Sequence, residues 1–373
     1  MRAVDIRLLS MKVIFDQQIF ALQRFGGISR SFVELNKHLN FLDDIESRIV
    51  APLHFNKHLF DSKVTLGIYL PKSTDKFGFN KKVRSVGKWV SDLAINQFRP
   101  DLIHETFYDP KSYPYSDYPV VTTIQDLIRE KIGEEKEKIA KKRESVERAK
   151  LIICISDSTK MDLLEYYKVD PSKVHRVYLG VSGFFLQEIP EGVGTWTPNN
   201  IILFVGNRSG YKNWEKFVQA FSCSKILLEN FNVVCFGGGR FNDVENETLL
   251  RLGIIEKVKY LDGSDHQLKE LYEKSACLVY PSLYEGFGLP VVEAMASGCP
   301  VFASDIPVLH ESAGVAAKYF DPQDINSLIQ ALETNLFDTD KLQKMRKLGF
   351  DHAKKFTWVE TAKQTYLAYK SIL

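Results

Sequence analysis

CLVYPSLYEGFGLPVVEAMASGCP, residues 277–300, is the stretch whose reading decides the fold. CLVYPS is an apolar run of strand length, and LYEGFG is a glycine-bearing turn. Pro290 stands where a helix would start and Gly298 where it would stop. The stretch therefore predicts strand, turn and helix in immediate succession. A helix N-terminus preceded by glycines suits an anion, because the amides of Gly286, Phe287, Gly288 and Leu289 and the helix dipole point the same way. A diphosphate fits that description. Glu285 in the turn and Glu293 in the expected first helical turn flank the anion from different sides. Carboxylates accept hydrogen bonds from vicinal hydroxyls, so one glutamate reads as a ribose ligand and the other as a ligand of a transferred sugar. For either glutamate alone, an acidic residue complementing the helix dipole is the competing reading.

Working outward, the same alternation recurs. IILFVG (201–206), FNVVCFGG (231–238), KVKYLD (257–262) and PVFAS (300–304) are short apolar runs, with a helical stretch from Trp214 through Phe221. On the N-terminal side, KVIFD (12–16) is followed by helical spacing at Ile28, Phe32, Leu35 and Leu39, and strands are expected at SRIVAP, DLIHE, PVVTTIQD, LIICIS and HRVYLGV. Strands alternating with helices imply parallel sheets covered on both faces. The rhythm breaks over Ser182 to Asn200, rich in Gly, Pro and Asn. The expected domains are thus 1–185 and 186–355, each a doubly wound α/β unit, followed by a closing helix over 356–373. Residues 1–10 read as an extension before the first strand.

Composition agrees with two ordinary domains. A chain of 373 residues exceeds the size at which one core stops growing. With 45% hydrophobic and 26% charged residues it belongs to the soluble globular class. A net charge of +2 provides no broad basic field, so nucleic acid is not an expected partner. Five cysteines without close metal-ligand spacing read as reduced thiols, no secretory leader is expected, and no apolar run is long enough to span a bilayer; a cytoplasmic location is the expectation.

Two further loops carry candidate chemistry. In GNRSGYKN, Arg208 and Lys212 follow a strand and could neutralise charge building on a leaving diphosphate, the task a divalent metal performs elsewhere. No metal and no cofactor is then expected, although solvated loop charges are the competing reading. The pair Gly26–Gly27 before the first helix allows close backbone approach to a ligand and tolerates positive φ. It lacks the third glycine of a dinucleotide fingerprint, which counts against a nicotinamide-dependent dehydrogenase. Residues 72–98 combine Lys72, Lys76, Lys81, Lys82, Arg84 and Lys88 with apolar residues at helical spacing. Such a helix suits peripheral contact with the inner face of a membrane, or packing on its own domain with solvated lysines.

FGGISR, HETFYDP, ICISDSTK, FVGNRSGYKN, PSLYEGFGLPVVEAMASGCPV and FTW together resemble the family 4 glycosyltransferases, with Glu285 and Glu293 forming an E-x7-E signature. FGGISR, GNRSGYKN and HETFYDP are similar to the mannosyltransferase-like members that build bacterial surface polysaccharides and lipopolysaccharide O-antigen. The resemblance implies a GT-B fold: an N-terminal acceptor domain and a C-terminal nucleotide-sugar domain facing across a cleft, with the last helix crossing back. It implies Glu293 on the ribose, Glu285 on the donor sugar, Arg208 and Lys212 on the diphosphate, and Gly26 and Gly27 approaching from the first domain. Two positions depart from the pattern. Asn207 stands where many relatives have arginine, and Gln125 where many have histidine facing the donor sugar. Gln125 leaves a 6-deoxy sugar beside mannose as the transferred group, with Asp126 a further catalytic candidate.

The implied reaction retains anomeric configuration by a front-face route, with a nucleotide diphosphate sugar, GDP-linked by preference, as donor. A saccharide or lipid-linked saccharide is the acceptor. The alternative is a non-catalytic subunit that binds nucleotide sugar within a polysaccharide-assembly complex.

Overall fold

The computed structural model describes residues 10–60, 65–69, 79–109, 117–133, 135–186, 196 and 198–373. The chain divides into two compact units. The first comprises Met1–Gly180 and Trp358–Leu373, and the second Val181–Thr357. These crossings differ from the expected 185/186 and 355/356. Val181 donates its amide to the Phe356 carbonyl and bridges Thr357, so the first and last residues of the second unit run side by side. Residues 1–9 of the expected extension and most of the expected linker lie outside the described residues.

The first unit holds a parallel seven-stranded sheet. Its strands are β1 (Met11–Phe15), β2 (Ile45–His54), β3 (Thr65–Tyr69), β4 (Leu102–Glu105), β5 (Val120–Ile124), β6 (Leu151–Cys154) and β7 (Val174–Arg176), in the order β3-β2-β1-β4-β5-β6-β7. Every residue of β4 and β6 is buried, as strands covered on both faces require. Helix Gly27–Leu39 packs Phe32, Leu35 and Leu39 into the core together with Trp358, Ala362 and Tyr369 of the closing helix Trp358–Lys370.

The second unit holds six parallel strands: β8 (Ile201–Val205), β9 (Asn232–Phe236), β10 (Val258–Leu261), β11 (Cys277–Tyr280), β12 (Val301–Ser304) and β13 (Lys318–Phe320), in the order β10-β9-β8-β11-β12-β13. Its core is built on Phe204, Trp214, Phe217, Phe221 and Phe302. Both sheets are doubly wound, so each has one place where strand order reverses: between β1 and β4 in the first, and between β8 and β11 in the second. Ligands of open α/β sheets bind outside the carboxyl ends of the strands at such a reversal.

Candidate active site

The reversal between β8 and β11 is where the sequence placed most of its chemistry. After β8 the chain makes a tight 3-10 turn, Gly210–Lys212, and Asn213 then adopts a left-handed conformation at the start of helix Trp214–Cys223. The Asn213 amide group donates to the carbonyls of Pro281 (3.0 Å) and Pro322 (2.8 Å), and Leu283 donates its backbone amide to Tyr211 (2.7 Å). The loops after β8 and β11 are thereby tied together.

This bracing brings Lys212 Nζ to 2.6 Å from Glu285 Oε1 and 3.2 Å from the hydroxyl of Tyr280. Both charged groups are largely buried, at 14% and 10% side-chain exposure. Burial, and then the charge of Glu285, pushes the Tyr280 phenol well above its ordinary pKa; it stays protonated and bonds to Glu285. A cation, a carboxylate and a phenol thus form one buried cluster at the carboxyl edge. Tyr280 was not among the residues singled out from sequence, because a tyrosine inside an apolar strand looks like core.

Glu285 leads into Gly286, Phe287 and Gly288, all buried, and then the helix Leu289–Ala296. Gly288 is the helix cap at φ +88°, a left-handed conformation that favours glycine, and a Cβ there would also press on Leu309 Cδ2 at 2.7 Å. Glu293 is not in the first turn as expected. It sits one turn further in, on a helix whose Val291, Val292, Ala294, Met295 and Ala296 are all buried, and is itself 5% exposed. Dipole complementarity fades beyond the first turn, so that competing reading loses its basis.

Arg208 requires a correction. Its guanidinium does not stand with Lys212; it turns toward β9 and pairs with Glu245, at 2.9 Å from Nε and 3.2 Å from Nη2. It also donates to the carbonyls of Gly237 (3.0 Å), Gly239 (2.7 Å) and Arg240 (3.1 Å), and lies over the Phe241 ring. Gly237, Gly238 and Gly239 all have φ between +75° and +82°, and a Cβ on Gly238 would strike the Gly206 carbonyl at 2.6 Å. The triple glycine is a loop wrapped on Arg208. Arg208 is a buried staple between the loops after β8 and β9, and Lys212 alone of the expected pair faces the Glu285 cluster.

The remaining candidates belong to the first unit. Gly26 is extended, at φ 171°, and Gly27 is not left-handed, so left-handed freedom is not why glycine occurs there. Gln23 fills the space beside Gly26, whereas a Cβ on Gly27 would meet only open space. Gln125 and Asp126 follow β5. The Gln125 backbone amide donates to the Tyr108 hydroxyl (3.1 Å), and the Asp126 backbone carbonyl accepts from Lys142 Nζ (2.8 Å). Lys142 in turn pairs with Glu130 at 3.0 Å, both side chains 2% exposed. The charged run over 129–150 carries this buried pair, which holds the Asp126 backbone. His104 is buried between Tyr369 (2.6 Å) and Thr123 (2.7 Å) in the first unit, and desolvation lowers its pKa to about 3.

Among the described residues no three His, Cys, Asp or Glu side chains are grouped to hold a metal ion, and no helix is long and apolar enough to cross a membrane. Lys72 and Lys76 lie outside the described residues, as do the side chains of Lys81, Lys82, Arg84 and Lys88. Trp89 and Leu93 on helix Phe79–Phe98 are exposed.

Residues 25–182 match the model of Glycosyltransferase Family 4, and residues 187–351 match that of Glycosyl transferases group 1. The chain belongs to the family 4 glycosyltransferases. This glycosyltransferase is 33% identical over 192 residues to the O-antigen chain mannosyltransferase RfbU of Salmonella typhimurium, a match spanning 51% of the chain and 52% of that protein. It is 28% identical over 239 residues to the O-antigen chain mannosyltransferase B of Escherichia coli, spanning 61% and 62%. The chain thus matches between half and two thirds of the length of these curated relatives. The crystal structure of Anabaena HepE in complex with UDP and glucose superimposes with a TM-score of 0.76 at 16% identity, covering 97% of this glycosyltransferase and 100% of that chain. At that identity the likeness speaks for the fold, which is GT-B.

Proposed function

We propose that this glycosyltransferase moves a hexosyl group, mannosyl or 6-deoxyhexosyl, from a nucleotide diphosphate sugar, GDP-linked by preference. The acceptor is a saccharide or lipid-linked saccharide in bacterial polysaccharide or lipopolysaccharide assembly. The observation that carries the proposal is the 2.6 Å contact of Lys212 with Glu285 at the strand-order reversal of the second unit. The printed names of RfbU and mannosyltransferase B support the sugar and the pathway class.

In the proposed reaction an acceptor hydroxyl oxygen bonds to the anomeric carbon on the face from which the diphosphate leaves. The carbon–oxygen bond to the β-phosphate breaks, and a β-phosphate oxygen takes the acceptor proton. The products are a glycoside of unchanged configuration and a nucleoside diphosphate. Lys212 and the amides that open helix Leu289–Ala296 stabilise charge growing on the leaving group, which is the charge that matters for rate. Glu285 orients the sugar hydroxyls while held by Lys212, and Glu293 takes the ribose. Gly286, Phe287, Gly288 and Leu289 form the backbone of that site. Gly26, Gly27, Gln125 and Asp126 remain in the proposal on resemblance alone, whereas Arg208 acts through the loops it staples. No divalent metal and no further cofactor is required. The enzyme works in the cytoplasm, and the exposed Trp89 and Leu93 support peripheral contact with the inner face of the plasma membrane.

The test is transfer from GDP-, UDP- and dTDP-sugars to a mannose-containing oligosaccharide, in EDTA, with the product anomer read by NMR. An inverted product refutes the mechanism, and turnover that requires Mg²⁺ or Mn²⁺ refutes metal independence. Binding of donor without transfer or hydrolysis favours the non-catalytic subunit.

A further inference from the structure

The first unit has its own strand-order reversal, between β1 and β4, and the loop leaving β1 there is unusually well held. Asp16, at the end of β1, accepts from the Thr106 amide (3.0 Å), the Thr106 hydroxyl (2.6 Å) and the Gln18 side chain (2.7 Å). Ile19 donates its amide to the Thr106 hydroxyl at 3.1 Å. Further along, the Gln23 carbonyl accepts from the Asn56 side chain (2.8 Å) and the Arg24 carbonyl from the Lys57 amide (3.0 Å). Asn56 also accepts from the His58 amide at 3.0 Å. The β1 loop is thus bonded to the start of helix Lys57–Phe60, which follows β2.

This rigid loop presents apolar side chains to solvent. Phe25 is 58% exposed and Leu22 47% exposed. The Lys57 ammonium lies 4.8 Å from the Phe25 ring centroid, and the His58 ring meets it edge-on at 5.9 Å. Single exposed apolar residues are ordinary. Here, however, the ring stands at the carboxyl edge where α/β sheets bind ligands, on a loop fixed by side-chain and backbone hydrogen bonds, with a cation and an imidazole at its side. An aromatic face accepts the polarised C–H bonds of a pyranose, and the neighbouring Lys57 ammonium can donate to its hydroxyls. A platform already immobilised loses little entropy on binding.

We infer that Phe25, flanked by Lys57 and His58, is the stacking platform for a pyranose ring of the saccharide acceptor. This rests on the glycosyltransferase reading above and adds to it a named acceptor contact. Loss of the ring in Phe25→Ala should raise the acceptor KM about three- to tenfold, the scale of one aromatic stacking contact, while the donor KM changes less than twofold. Phe25→Trp should restore acceptor binding. Its fluorescence should respond to methyl α-mannoside and octyl α-mannoside alike. An unchanged acceptor KM in Phe25→Ala overturns the inference, as does a parallel rise of both KM values. A Phe25→Trp response to octyl α-mannoside alone also overturns it, marking a surface for the lipid portion of an acceptor. If the wild-type enzyme transfers sugar to no saccharide, the proposed function fails and the platform falls with it. Transfer by wild type with an unaffected Phe25→Ala sinks the platform alone.

Discussion

Replacing Arg208 separates two roles that its position in GNRSGYKN leaves undivided. The guanidinium uses Nε, Nη1 and Nη2 on Glu245 and on three backbone carbonyls, at 2.7–3.2 Å. Removing one partner of a buried ion pair costs roughly 3–5 kcal/mol. Glu245 retains 14% side-chain exposure and regains some hydration, so about 3 kcal/mol is expected for Arg208→Met. Arg208→Lys keeps the charge but loses the planar fork, and should cost roughly 2 kcal/mol. For a unit of this size each kcal/mol lowers the melting temperature by about 2–4 °C. Calorimetry should therefore show the second unit melting about 6–12 °C lower in Arg208→Met. The double variant Arg208→Met, Glu245→Met should cost less than the sum of the singles, because each single leaves one charge unpaired and the double leaves none. Nucleoside diphosphate affinity, measured by titration calorimetry well below the melt, should move little in Arg208→Lys. The reasoning is refuted by the opposite pattern: an Arg208→Lys protein that melts like wild type yet loses tenfold or more in nucleotide affinity.

Lys212→Ala should lower kcat on the order of 10²–10³ and more than it raises the donor KM, with Lys212→Arg recovering part of the loss; wild-type kcat in Lys212→Ala would remove the residue from charge stabilisation. Glu293→Gln should weaken nucleoside diphosphate binding about tenfold or more, the scale of a charged hydrogen bond, and unchanged affinity by calorimetry would take Glu293 out of the site. His104 has a folded-state pKa of about 3, against about 6.5 unfolded, because burial disfavours its cation. The unfolded chain takes the proton first, so the contribution is full above about pH 6.5 and drains away toward pH 3. About 2 kcal/mol is lost by pH 5. His104→Gln should lack that loss, so its melting temperature should fall less between pH 7 and pH 5; an identical pH dependence would refute the assignment.

The sheets were legible because parallel strands covered on both faces read as apolar runs: β6, β8 and β11 are unbroken, β1, β9 and β12 carry one polar residue each, and β4 is apolar only at Leu102 and Ile103. Two strands were not legible. β3 carries Thr65 and Gly67, and β13 is three residues long with an exposed Lys318, so neither shows an apolar run. The helix after β11 could be placed from Pro290, but the depth of Glu293 could not, since helix starts are uncertain by a residue or two and one turn separates dipole complement from buried carboxylate.

What sequence could not supply was the partner of each charge. Arg208 and Lys212 are four positions apart in one loop, and local reading assigns them one task. The register of β8 against β9 pairs Val205 with Phe236, which puts the start of the Arg208 loop beside Gly237 to Gly239. The register of β8 against β11 pairs Leu203 with Leu278, which puts the far end of the same loop beside Tyr280 and Glu285. One loop therefore straddles two neighbours, and its two cations are divided between them by sheet order. β8 is the only strand of the second sheet with β9 on one side and β11 on the other. The staple and the amine paired with Glu285 follow from that placement, which no spacing of residues within GNRSGYKN encodes.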